Sequence, residues 1–225
     1  MITDVYFDLD HTLWDFEKNS ALAFNAIIKK HNIDIDIEAF LKEYVPINMK
    51  YWALFRDEKV TSMDLRLGRL RETFANLNFN ASDELLDMMS DEYLIYLPTF
   101  THLFEGAIEL LEYLQPKYGL HIITNGFKEV QGGKLSNSGL DKYFKTVTNS
   151  EMAGVKKPNP KIYEHALSLC NVQKANAIMI GDDIEADVYG ALRFGIDAIY
   201  FNEHKVDVPT HIKQVNHLLE LKMML

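Results

Sequence analysis

The run Ile2–Phe7, ending in Asp8-Leu9-Asp10, constrains this chain more than any other feature. Short, apolar and rich in β-branched and aromatic residues, it reads as a buried strand that stops at two carboxylates spaced two apart. That spacing puts both on the same side of an extended backbone. At the carboxyl end of a central strand in an open α/β sheet, they would lie in the crevice where such folds bind ligands. Two neighbouring carboxylates repel unless one holds a proton or a hard cation such as Mg²⁺, which favours oxygen ligands, sits between them. Taken alone, the same residues are also ordinary turn formers at a strand end.

Composition narrows the function classes. With 225 residues, 48% of them hydrophobic, the chain can bury a large core, as one domain or a domain carrying an insert. A formal net charge of −10 excludes a broad nucleic-acid or anionic-membrane surface, which needs clustered Lys and Arg. A small anionic substrate is compatible with it, because a bound metal and one Lys reverse the field locally. Cys170 is the only cysteine, so no internal disulfide forms and a reducing compartment is expected. It falls in a helix-like segment beside Leu167 and Leu169, as a buried, inert thiol would. The N-terminus carries no basic segment before an apolar core, and no apolar run approaches the ~20 residues of a membrane span. A cytoplasmic protein is expected.

From Trp14 to about Thr101 the apolar residues recur at helical spacing: Leu22, Ile27 and Ile28; Phe40, Leu41 and Val45; Leu65, Leu67, Leu70 and Phe74; Leu85, Leu86, Met88 and Met89. Helix starts are expected at Asp15, at Thr61 in the pattern Thr61-Ser62-Met63-Asp64, and at Ser82. Beyond Leu103 the pattern alternates. A helix through Ile108–Leu114 precedes a strand at 120–124, and a helix near 127–137 precedes an apolar patch at 144–148. A helix starts at Asn159 with Pro160 in its first position. A strand at 177–181, a helix at 184–193, a strand at 198–201 and a last helix from about Ile212 complete the chain. Strands alternating with helices imply crossover connections and a parallel sheet. The expectation is an α/β fold: a doubly wound parallel sheet, or Rossmann-like core, from 1–14 and 102–225, with an α-helical bundle inserted at 15–101.

Four motifs follow one another in order. Asp8-Leu9-Asp10-His11-Thr12 resembles the D-x-D-x-T motif of the haloacid dehalogenase-like superfamily, most of whose members are phosphatases. Ile122-Ile123-Thr124-Asn125-Gly126 is similar to its second motif, an apolar strand ending in Thr or Ser. Lys157-Pro158 resembles its third, and Gly181-Asp182-Asp183-Ile184-Glu185-Ala186-Asp187 its fourth, G-D-x-x-x-x-D after a strand. The insert resembles the helical cap that many members carry after the first motif. Individually, each motif also reads as a turn, a surface lysine or an acidic first helical turn.

The resemblance implies a Mg²⁺-dependent phosphomonoester hydrolase working through an aspartyl-phosphate. In it Asp8 is the nucleophile and Asp10 the general acid and base. The metal ligands it implies are the side chain of Asp8, the backbone carbonyl of Asp10 and the side chain of Asp182. Thr124, with Asn125 and Gly126, would bind the phosphate, and Lys157, rather than Lys156, would supply the positive charge. Asp187 and Asp183 are supporting residues: Asp187 orients Asp182 or Lys157, and Asp183 adds charge near the metal or faces solvent. Gly132-Gly133 weakens the helix after Gly126 and has no assigned function.

Asp at position 10 points to phosphatase or phosphomutase rather than dehalogenase chemistry in this superfamily. Thr124–Phe127, Val130-Gln131, Lys134-Leu135, Ser138–Leu140, Tyr143-Phe144 and Gly154–Pro158 resemble the pyrimidine 5′-nucleotidase branch. The implied substrate is a pyrimidine nucleoside monophosphate, a small-molecule phosphomonoester, with no nucleic-acid polymer and no membrane as partner. Acylneuraminate-9-phosphate or phosphoglycolate phosphatase, phosphomutase and an inactive phosphate-binding regulator are the alternatives. Trp14, Phe16, Tyr51, Trp52 and Phe55 are candidates to stack on a base, and equally for packing. Arg66, Arg69 and Arg71 read as a solvated helix face.

Overall fold

The computed structural model describes residues 1–225, which divide into two compact units, Met1–Phe16 with Thr101–Leu225, and Glu17–Phe100. The larger unit is built on six parallel strands. β1 (Asp4–Phe7), β2 (Gly119–Thr124), β3 (Thr146–Asn149), β4 (Ala177–Gly181), β5 (Asp197–Phe201) and β6 (Gln214–Val215) lie in the order β3-β2-β1-β4-β5-β6. Every residue of β2 and β4 is buried, and both are apolar apart from His121 and Thr124 of β2. β1 pairs with β2 on one side and β4 on the other, so the strand order reverses at the centre. Ligands bind beside such a reversal, at the carboxyl ends of the strands. Both acidic motifs lie there, Asp8 one residue after β1 and Asp182 one residue after β4.

In chain order the helices are α1 (Phe16–Lys30), α2 (Ile37–Arg56), α3 (Ser62–Asn76), α4 (Asp83–Tyr96), α5 (Ala107–Leu114), α6 (Lys128–Asn137), α7 (Ser150–Ala153), α8 (Pro160–Ser168) and α9 (Gly190–Phe194). None is long and apolar enough to cross a membrane.

The smaller unit is helical throughout. Phe24, Phe40, Tyr44, Phe74 and Tyr93 meet at its centre, with ring centroids 4.4–5.6 Å apart between neighbours. Thr61 caps α3 in a reciprocal box with Asp64, and Ser82 caps α4 through Leu85 N–H, as their sequence patterns predict. Arg69 departs from expectation. It steps by four from Leu65 and by four to Thr73, so it falls on the buried stripe of α3. Only 3% exposed, it donates to Asn48 Oδ1 at 2.7 Å and sits over the Tyr44 and Tyr93 rings. Arg66 pairs with Asp91 and Arg71 with Asp83 nearer the surface.

Two elements of the larger unit also differ from the sequence pattern. The last segment carries β6 and a 3₁₀ turn at Leu218–Met223 in place of an α-helix from Ile212. The amides of Tyr200 and Asn202 donate to the carbonyls of Lys213 and Val215, which satisfies the outer edge of β5. The buried positions Ile212, Val215 and Leu218 recur every three residues and so imitate a helix. After β4, Ile184–Tyr189 forms a π-turn before α9 rather than one regular helix. Such wide turns are frequent at functional sites, and this one carries Asp187.

Candidate active site

The first motif forms a tight loop. Asp8 N–H still donates to the Ile180 carbonyl of β4, after which Leu13 and Trp14 N–H both return to the Leu9 carbonyl. His11 turns the chain at φ 60°, a left-handed conformation uncommon outside glycine. The loop aims Asp8 at Lys157, whose Nζ lies 2.5 Å from Asp8 Oδ1 and 2.7 Å from Asp187 Oδ1. The same ammonium donates to the Ile123 carbonyl at 2.7 Å, so all three of its protons are directed. Thr12, fully buried, donates to Asp182 Oδ1 at 3.0 Å and fixes that carboxylate against the first loop.

Asn125 is spent on a backbone exchange, accepting from Lys157 N–H at 2.7 Å and donating to the Lys157 carbonyl at 3.0 Å. It locks the ends of two loops together. Thr124 Oγ1 accepts from Gly126 N–H and from Gln131 Nε2, so toward a third group this hydroxyl can only donate. Asp183 points its carboxylate at the Glu185 and Ala186 amides as a helix cap, and its own N–H donates to Asp187 Oδ2. It therefore anchors the turn that delivers Asp187.

Two residues of α6 join the site that the motifs did not single out. Gln131 Nε2 donates to Asp10 Oδ2 at 2.9 Å, and Lys134 Nζ lies 2.5 Å from Asp10 Oδ1. Both are buried. Their signal in the sequence is the resemblance of Val130-Gln131 and Lys134-Leu135 to the nucleotidase branch, which gave them no role at the site. Trp14 and Phe16, candidates for base stacking, are buried, and their rings lie 4.4 and 5.2 Å from the Lys134 ammonium. They pack this cation and offer no open face to a base. Tyr51, Trp52 and Phe55 are half-buried on α2.

Carboxylate oxygens of Asp8, Asp182 and Asp187 lie within 4.8 Å of one another. Burial, opposed by Lys157 and reinforced by Asp187 and Asp10, pushes the Asp8 carboxyl up to about 7. Burial, Asp8 and Asp187 raise Asp182 well above the carboxylate range. Burial works against the charge on Lys157, yet Asp187 and Asp8 outweigh it and hold the ammonium protonated above its ordinary range. One cation shared by two buried carboxylates does not satisfy both, and burial raises Asp187 as well. Four carboxyl groups, Asp8, Asp10, Asp182 and Asp187, thus face two ammonium groups. An all-oxygen, buried and net-negative donor set fits a hard divalent cation such as Mg²⁺.

Residues 5–195 match the family described as haloacid dehalogenase-like hydrolase. The chain belongs to that family. Among the relatives of this haloacid dehalogenase-like hydrolase is pyrimidine 5′-nucleotidase PynA of Streptococcus pneumoniae, 32% identical over 89% of this chain and 84% of that protein. Pyrimidine 5′-nucleotidase YjjG of Escherichia coli is 28% identical over 98% of this chain and 96% of its own length. Glyceraldehyde 3-phosphate phosphatase of Pyrococcus abyssi is 33% identical over 91% of this chain and 83% of that enzyme. Among solved structures, the putative HAD-hydrolase YfnB from Bacillus subtilis, bound to magnesium, matches with a TM-score of 0.89 and 26% identity. It covers 99% of this chain and 98% of its own.

Proposed function

We propose that this hydrolase is a Mg²⁺-dependent phosphatase that cleaves pyrimidine nucleoside 5′-monophosphates through an aspartyl-phosphate on Asp8. The observation that carries the reading is the Lys157 ammonium held between Asp8 and Asp187 at 2.5 and 2.7 Å beside Asp182. A carboxylate nucleophile divides a difficult hydrolysis into two steps. Asp8 attacks phosphorus, the ester P–O bond breaks, and the leaving oxygen takes a proton from Asp10. In the second step Asp10 takes a proton from water, which attacks the aspartyl-phosphate and returns Asp8. The Thr124 hydroxyl donates to the phosphoryl oxygens, and the positive charge of Lys157 beside them offsets the charge that spreads there as the bonds change. The side chains of Asp8 and Asp182 and the backbone carbonyl of Asp10 would hold Mg²⁺, with Asp187 alongside. Bound there, the cation neutralises the carboxylates and the incoming phosphate.

The named activities of PynA and YjjG support pyrimidine nucleotides as substrates. A sugar-phosphate substrate is the second reading, favoured by the similarity to glyceraldehyde 3-phosphate phosphatase. The test is phosphate release from a panel of nucleoside monophosphates and sugar phosphates, with Mg²⁺, with EDTA, and with D8N. Release that needs Mg²⁺, disappears in D8N and is fastest on pyrimidine monophosphates is the expected result. Faster release from sugar phosphates would overturn the nucleotide assignment, and metal-independent release or an active D8N would overturn the mechanism.

A further inference from the structure

The carboxyl group of Asp10 is held at both oxygens from a single turn of α6. Lys134 Nζ lies 2.5 Å from Oδ1 and Gln131 Nε2 lies 2.9 Å from Oδ2. Neither donor is at the surface: Lys134 is 3% exposed and Gln131 1%. A lysine buried this deeply requires a compensating partner, and its flexible stem costs entropy to order. Here the ammonium rests against Trp14 and Phe16, whose ring faces attract it and limit where it can go. Gln131 is fixed from a different direction. Its amide nitrogen also donates to Thr124 Oγ1 at 2.7 Å, while its own carbonyl oxygen, though buried, has no partner. The side chain is therefore placed by what its nitrogen reaches. Gly126 leaves the space it occupies, since a Cβ there would lie 2.1 Å from Gln131 Nε2.

We propose that Lys134 and Gln131 form a clamp that positions Asp10 for proton transfer and ties it to Thr124. The inference rests on the phosphatase reading above. Each carboxyl oxygen has two lone-pair sites, and the clamp takes one from each. The remaining sites stay free to carry a proton, in a direction the clamp fixes. Because Gln131 bridges Asp10 and Thr124, the group that serves the leaving oxygen keeps a set distance from the hydroxyl that serves the phosphoryl oxygens. Misplacement of a reacting group by about 1 Å costs on the order of 10²-fold in rate. Lys134 and Gln131 are positioning residues: they act through Asp10.

The dependence of rate on the leaving group separates positioning from general damage. An alkyl leaving group, as in a nucleoside 5′-monophosphate, needs the proton from Asp10, whereas p-nitrophenolate departs as a stable anion. In each case kcat/KM reads the first phosphoryl transfer. For K134M, and independently for Q131M, kcat/KM on the nucleotide is expected to fall about 10–100-fold. On p-nitrophenyl phosphate it should fall less than about threefold. Thermal midpoints measured alongside identify folded variants, and either variant alone suffices. Equal losses on the two esters, or no loss on either, overturn the clamp and leave the phosphatase reading intact. A wild-type protein inactive on both esters with Mg²⁺ overturns that reading and the clamp with it.

Discussion

Asp8 sits where its ionised form is hard to hold. Burial drives its carboxyl up to about 7 even with the Lys157 ammonium 2.5 Å away. An unfolded Asp titrates near ~3.9, so the folded state binds this proton more tightly than the unfolded one. Its stabilising contribution is complete below about pH 4 and is lost as pH rises through about 7. Buried His121 works in the opposite sense, since burial lowers its pKa despite the hydrogen bond to Asp4. Comparing wild type with D8N cancels that contribution. In EDTA, the thermal midpoint of D8N relative to wild type is expected to climb steadily from pH 5 to pH 8. In the proposed mechanism Mg²⁺ would bind the ionised carboxylate, so saturating Mg²⁺ should abolish the climb. A difference that stays constant with pH in EDTA would refute this account of Asp8.

Two glycines, Gly181 at the end of β4 and Gly126 in the loop after β2, make room for the side chains that hold the site. A Cβ on Gly181, the last residue of β4, would lie 2.2–2.6 Å from Asp187 Oδ2, Cγ and Cβ. The base of that side chain cannot swing away without moving the backbone. A Cβ on Gly126 would meet mainly the far end of Gln131, which can rotate aside. G181A is therefore expected to lower stability by about 1–3 kcal/mol, as overpacking does, and to abolish most turnover by displacing Asp187 from Lys157. G126A should lose less than about 1 kcal/mol yet still turn over slowly, because Gln131 leaves Asp10 and Thr124. Chemical denaturation and kcat on the two variants check both. A fully active G126A would show that the Gln131 contacts are dispensable.

The same elements show what the sequence could reveal. The strands β1, β2, β4 and β5 were legible because each is a short apolar run bounded by turn residues, and Thr61 and Ser82 because their caps are local hydrogen bonds. Asp8 stood out by its spacing from Asp10, and Lys157 and Asp182 by their resemblance to the family's third and fourth motifs. Gln131 and Lys134 entered only through the branch resemblance and with no role at the site, because their partner Asp10 lies 121 and 124 residues away, and Gln and Lys on a helix usually face water. Arg69 was hidden for the same reason, since its compensation comes from aromatic faces and Asn48 rather than a carboxylate. β6 escaped because an edge strand of two residues has no period to detect.

At the scale of the molecule, the carboxylates that would hold Mg²⁺ come from residues 8 and 182, with Asp187 alongside, and only the folded sheet brings them together. A cation that binds them and not the unfolded chain stabilises the larger unit by about 2.7 kcal/mol at a hundred times its Kd. The helical unit, Glu17–Phe100, contributes none of these groups and has its own aromatic centre. The two tryptophans divide between the units, with Trp14 buried in the larger one and Trp52 on α2 of the smaller. W52F leaves Trp14 as the reporter for the sheet unit, and W14F leaves Trp52 for the helical unit. Followed by fluorescence during thermal unfolding, the Trp14 transition is expected to rise on adding Mg²⁺ while the Trp52 transition stays in place. The converse result, both transitions rising together, would mean that the units unfold as one cooperative body. In that case the free energy of metal binding would be shared by elements that hold none of the ligands.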